Sequence, residues 1–212
     1  MTTKEQIRNL LTDLKITKKT NLRQVKENLA NLGYSASEYQ IHDGATKLCI
    51  APKHADFVIK WSTTCYELSD DWDEALEEVS IYNKAVEAGL EMFFPKTEVF
   101  CVVNGITFVI QEKVDFSVLH TPNNKADRYA HQTRTISPAI VEKMSDCFLR
   151  LHRGRSLDFT WASMAIVLYG KRKCKALCKF IVQYEINDLH ASNIGYLKDK
   201  PIILDFSGYH RD

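Results

Sequence analysis

Ile7, Leu10, Leu11 and Leu14 recur at i, i+3, i+4 and i+7, which predicts an amphipathic helix near the start of the chain. Leu22, Val25, Leu29 and Leu32 form a second stripe, opened by Thr20 and closed by Gly33, so residues 1–33 are expected as a helical extension. Past Tyr39 the period shortens. LCIAP and FVIKW are apolar runs joined by the turn-like KHAD, with Gly44 at the preceding turn, and they read as antiparallel strands. An acidic helix follows, with Asp71 and Glu74 spaced as a capping box and Gly89 placed to end it. Its expected buried face carries Trp72, Leu76, Val79, Val86 and Leu90. TEVFCVV and ITFVIQ then meet at Asn104-Gly105, a strong hairpin dipeptide, completing an antiparallel unit of about five strands and one helix over residues 34–114.

The remaining residues, 115–212, predict a mostly helical unit. Residues 119–136 are polar and irregular, as a linking segment would be. Ser137 and Pro138 open a helix bearing Ile140, Met144, Cys147, Phe148 and Leu151, and a long helix is expected over residues 160–184. NIGYL and IILDF, separated by KDK, read as a terminal hairpin. The fold class is therefore α+β.

Composition narrows the function. At 45% hydrophobic, a chain of 212 residues can bury a core, which argues against disorder. Twenty-eight basic against 27 acidic residues leave +1, too little for a global field toward nucleic acid or an anionic membrane. No apolar run reaches membrane-spanning length and the first residues are too polar for a signal peptide, so a soluble cytoplasmic protein is expected. The basic stretch Lys171, Arg172, Lys173, Lys175 and Lys179 lacks interleaved aromatics and reads as a solvated helix face rather than a nucleic-acid surface. Six scattered cysteines, mostly in apolar runs, read as reduced and buried; Cys174 and Cys178, at i and i+4 on a helix, lack an evident fourth zinc ligand.

Chemistry concentrates near the C-terminus, in YEINDLHASNIGYLKDKPIILDFSG. Asn193 follows Asp188 by five residues, and Asp205 follows Asn193 by twelve. The hairpin should bring Asn193 and Asp205 to one end, beside the loop holding Asp188. Oxygen ligands of this kind suit Mg²⁺ carrying substrate phosphates. This arrangement resembles the protein-kinase-like superfamily, whose catalytic loop reads H-R-D-x-x-x-x-N and precedes an Asp-Phe-Gly element. Ile186 and Asn187 stand where the His-Arg pair would be, and Ser207 intervenes before Gly208. DLHASN is closer to the D-L-H-x-x-N loops of bacterial, phage and small-molecule phosphotransferases. His190 is a candidate for orienting the loop in place of the missing His.

The upstream half carries matching signals. Lys60 ends the run FVIKW in the manner of V-A-I-K, and the acidic helix after it offers Glu74, Glu77 and Glu78 as its partner. Glu78 is chosen because Ile81 and Tyr82, three and four residues on, can pack inward; Glu77 is the fallback. FVIQEKV resembles the strand leading into the kinase hinge, which implies Gln111 at the gate and residues 112–114, including Glu112 and Val114, beside adenine. Gly44 alone occupies the turn where a kinase has three glycines.

The resemblance implies a bilobal kinase fold: a five-stranded antiparallel N-lobe with a helix over 34–114, and a truncated, mostly helical C-lobe over 115–212. Seven residues follow Asp205, so no activation segment is expected, as in minimal stand-alone kinases of bacteriophage and bacterial type. It implies ATP and Mg²⁺ as cofactors. Lys60 would meet phosphates, Asn193 and Asp205 would hold the metal, and Asp188 would align a Ser or Thr hydroxyl of a protein substrate. Two alternatives are an aminoglycoside- or choline-kinase-like small-molecule phosphotransferase, suggested by DLHASN, and a pseudokinase acting as a binding or inhibitory module, suggested by the glycine-poor turn.

Overall fold

The computed structural model describes residues 4–35, 37–44, 46–63, 73–114, 159–186, 189 and 193–207. The expected linking segment, the helix opened by Ser137, and Asp71, Trp72, Asp188, His190 and Gly208 lie outside them. The chain is an α+β protein that divides into two compact units, Met1–Ser80 with Lys96–Lys113, and Ile81–Pro95 with Val114–Asp212.

The first unit is built on five antiparallel strands: β1 (Tyr39–Asp43), β2 (Lys47–Pro52), β3 (Phe57–Ser62), β4 (Thr97–Val103) and β5 (Ile106–Glu112). Their order is β1-β2-β3-β5-β4. Asn104 and Gly105 turn the last hairpin with φ of 52° and 75°, the left-handed pair a tight two-residue turn requires. Alternation then sorts side chains between two faces. Leu48, Ile50, Ile59, Trp61, Ile106, Phe108 and Ile110 face helices α1 (Lys4–Asp13) and α2 (Leu22–Asn31) in one core with Ile7, Leu10, Leu11, Leu14, Val25 and Leu29. The N-terminal helices thus share the sheet's core. Trp61 and Phe108 meet at 5.5 Å between ring centroids. The N-cap of α2 is Asn21 rather than Thr20: Asn21 Oδ1 accepts from the Gln24 N–H at 3.0 Å, and Gln24 Oε1 accepts from the Asn21 N–H at 2.9 Å. Thr20 instead closes the inter-helix turn, its Oγ1 accepting from the Thr17 N–H at 2.9 Å.

Helix α3 (Glu74–Glu87) departs from its hydrophobic pattern. Leu76 and Val86, expected inside, are 44% and 47% exposed, whereas Glu74, Ala75, Glu78, Ile81 and Ala85 are buried. Carboxylates occupy the inner face because cations wait for them there, as described below. Asp73 caps the helix, its Oδ1 accepting from the Leu76 N–H at 3.1 Å and from Ser62 Oγ at 2.7 Å. At the far end Gly89, at φ 63°, allows the Leu90 N–H to reach Ala85 O at 2.7 Å, a Schellman closure.

The second unit packs helix α4 (Phe159–Gln183) against the hairpin β6 (Ile194–Leu197) and β7 (Lys200–Ile203). The helix is broken at Gly170, where φ 77° and ψ 156° leave helical space. Trp161, Ala165, Leu177 and Ile181 share a core with Phe93, Phe94, Ile194, Ile203 and Phe206. Trp161 Nε1–H donates to Ile202 O at 3.1 Å, tying helix to hairpin. In the basic stretch Lys171, Arg172, Lys175 and Lys179 are exposed, while Lys173 donates to Gly89 O, a cation at the negative end of α3.

Leu11 is 1% exposed in the core that joins α1 to the sheet. Leu11→Ala should cost about 3 kcal/mol in urea unfolding. Val102→Ser, at a position 63% exposed, should change stability by less than about 0.5 kcal/mol.

Candidate functional site

Lys60 sits on β3 opposite Cys49 of β2 and Val109 of β5, on the sheet face away from α1 and α2. Glu78 of α3 is fully buried. Lys60 Nζ donates to Glu78 Oε2 at 3.1 Å and Oε1 at 3.3 Å. Glu77, the alternative partner, precedes Glu78 by one residue and so stands about 100° away around the helix.

That carboxylate has further donors which sequence reasoning missed. Lys47 Nζ on β2 donates to Glu78 Oε1 at 2.8 Å and lies 3.7 Å from Glu74 Oε2. Thr46 Oγ1 donates to Glu74, and Gln111 Nε2 donates to Glu78 Oε2 at 3.3 Å and to Thr97 Oγ1 at 3.0 Å. The result is a largely buried cluster of two lysines and two glutamates, in which Thr46 donates to Glu74 and Gln111 to Glu78, with Thr97 accepting the second hydrogen bond of Gln111. Burial of such charges is tolerated only with this degree of pairing. Strand alternation places Lys47, two residues before Cys49, on the same face of β2 as Cys49, but that Cys49 stands opposite Lys60 follows from the β2–β3 register.

Gln111, expected at a hinge gate, is 2% exposed and gives its amide to this cluster. Glu112 Oε2 accepts from the Lys96 N–H at 3.0 Å. Gly44 N–H donates to Lys47 O at 2.8 Å, closing the β1–β2 turn on itself. A Cβ at Gly44 would meet Lys47 O at 3.5 Å, an ordinary contact.

In the second unit the hairpin register pairs Ile194 with Ile203, and the Leu204 N–H donates to Asn193 O at 2.8 Å. Asn193 and Asp205 are thereby held at the same end of the hairpin. Ser207 Oγ donates to Asp205 Oδ1 at 3.2 Å, and Phe206 between them is fully buried with its ring 5.0 Å from that of Phe94. Val114 packs with Ile202 and Leu204, and Gly195 lies so close that a Cβ there would come within 2.9 Å of Val114 Cγ1. Amide and carboxylate oxygens at one hairpin end fit a hard divalent cation.

Cys49, Cys101, Cys174 and Cys178 are free thiols. No group of three or more His, Cys, Asp or Glu side chains gathers for a metal among the described residues. No described helix is long and apolar enough to cross a membrane. Comparisons with family models, curated proteins and solved structures returned no match.

Burial pushes the Cys49 thiol from 9.0 to about 11, against the pull of Lys60. This preference for the protonated thiol is a contribution to stability that is intact below pH 9.0 and lost as the pH rises through about 11. At pH 8 its thiolate should be about 100-fold scarcer than that of an ordinary cysteine. Iodoacetamide labelling mapped by mass spectrometry should therefore find Cys49 slow at pH 8 and accelerating toward pH 11.

Proposed function

We propose that this chain is an ATP- and Mg²⁺-dependent phosphotransferase of protein-kinase-like fold, acting on Ser or Thr hydroxyls of proteins. The observation that carries the reading is the Lys60–Glu78 ion pair, 3.1 Å long, with its lysine on β3 and its glutamate on the helix that follows. It is accompanied by the strand order β1-β2-β3-β5-β4 and by Asn193 and Asp205 at one hairpin end. On this reading the two compact units are the two lobes of a minimal kinase.

Transfer of a phosphoryl group demands charge neutralisation and alignment more than covalent chemistry. Lys60, oriented by Glu78, is assigned to the α- and β-phosphates. Asn193 and Asp205 are assigned to Mg²⁺, which when bound would screen the phosphate charge; the Ser207 hydroxyl, donating to Asp205 Oδ1, would hold that carboxylate in place. Asp188 is assigned to the acceptor hydroxyl, accepting its hydrogen bond and proton as the oxygen attacks. Residues 112–114, where β5 ends, are assigned to adenine through backbone groups. One observation favours the pseudokinase alternative: the Gly44 N–H is spent on Lys47 O, so this turn offers no glycine cradle for phosphate.

Saturating ATP with Mg²⁺ should raise the melting temperature by about 5–10 °C, more than ATP with EDTA. Asp205→Asn should abolish the difference, and equal shifts with EDTA would remove the metal assignment. With γ-labelled ATP and a cell lysate, label should pass to protein. Lys60→Met should lower that transfer roughly 10²–10³-fold. Asp188→Asn should abolish transfer while keeping ATP binding, and a wild-type chain that binds ATP but labels nothing decides for the pseudokinase.

A further inference from the structure

We infer that Lys47 is the standing counter-ion of Glu78, a positioning residue whose hold on that carboxylate lets Lys60 leave it for a phosphate. The inference rests on the phosphotransferase reading. Among the hydrogen bonds to the Glu78 carboxylate, that of Lys47 is the shortest, 2.8 Å against 3.1 Å and 3.3 Å for Lys60 and 3.3 Å for Gln111. The Lys47 side chain is 9% exposed and that of Glu78 0%, so neither exchanges its partner for water. Lys47 is also anchored from its other side by Glu74, which the Thr46 hydroxyl holds in turn.

A lysine that serves a phosphate must reduce its hold on the glutamate that orients it. With one cation only, that movement would leave a fully buried carboxylate uncompensated, which is strongly disfavoured. The second lysine removes the penalty. Glu78 keeps a cationic partner and its place while Lys60 divides its three N–H donors between Glu78 and the nucleotide. Lys47, on β2 and between two glutamates, is the member of the pair that stays.

Three measurements test this. First, a double-mutant cycle of Lys47→Met and Lys60→Met in urea should be non-additive. Each single change leaves Glu78 one lysine, whereas the double variant should lose far more than the summed shifts in midpoint. In a Glu78→Gln background the excess should vanish; additive shifts would overturn the counter-ion role. Second, Lys47→Met should raise the KM for Mg-ATP about tenfold with a smaller effect on kcat, because Lys60 is then retained by Glu78, and Lys47→Arg should restore it. A fall in kcat at unchanged KM, the signature of a smaller folded fraction, would overturn the release. Third, and needing no variant, Mg-ATP should slow acylation of Lys60 by a water-soluble N-hydroxysuccinimide ester and leave Lys47 unchanged. Equal protection of both lysines would place Lys47 on the nucleotide and overturn the inference. If calorimetry finds no Mg-ATP binding to the wild-type chain, the phosphotransferase reading fails and the release with it, whereas additivity in the cycle removes the counter-ion role alone.

Discussion

A carboxyl group with no exposure to water is costly to bury without donors, and the first unit is organised around supplying them to Glu78. Lys47, Lys60 and Gln111 reach it from three adjacent strands, β2, β3 and β5, while Glu78 itself comes from α3. The cluster therefore joins strands and helix through charge, where an ordinary sheet–helix contact would use aliphatic packing. It sets the rotation of α3 about its own axis. With Glu74 and Glu78 turned inward, Leu76 and Val86 have to face out.

The other face of the same sheet follows the opposite rule. There Ile59, Trp61 and Phe108 pack under α1 and α2 with apolar contacts, and burial of that kind is non-directional and proportional to area. Specific geometry is thus confined to one face, and most of the hydrophobic stabilisation of the unit lies on the other. This division suits a site. Lys60 can be held in a defined position by hydrogen bonds that depend on direction, on a sheet already secured from behind.

In the second unit the hairpin performs a comparable service for Asn193 and Asp205. They are twelve residues apart, and the β6–β7 register alone brings them to one end. Phe206, buried against Phe94, fixes the backbone between Asp205 and Ser207, so the carboxylate is positioned by an apolar anchor beside it. A close approach of Gly195 to Val114 and Leu204 keeps the hairpin tight against its surroundings.

Much of this was legible in the residues. The period of the apolar positions determined α1, α2, strands β2 to β5 and the long helix at 159–183, and Asn104-Gly105 determined a turn, because these signals are local; β1, with its polar YQIHD, carries no such period. The choice of Glu78 over Glu77 was also legible, since it depends only on which residues lie three and four further along one helix. What the sequence could not determine was Lys47. Its partners Glu78 and Glu74 stand 31 and 27 positions away, and only the pairing of β2 with β3 brings them together. The rotation of α3 was lost for the same reason: its apolar pattern buries Leu76 and Val86, and the cations that turn Glu74 and Glu78 inward in their stead belong to other strands. Hydrophobic periodicity records how a segment meets an average interior, whereas a buried charge is settled by the particular groups that tertiary structure sets opposite it.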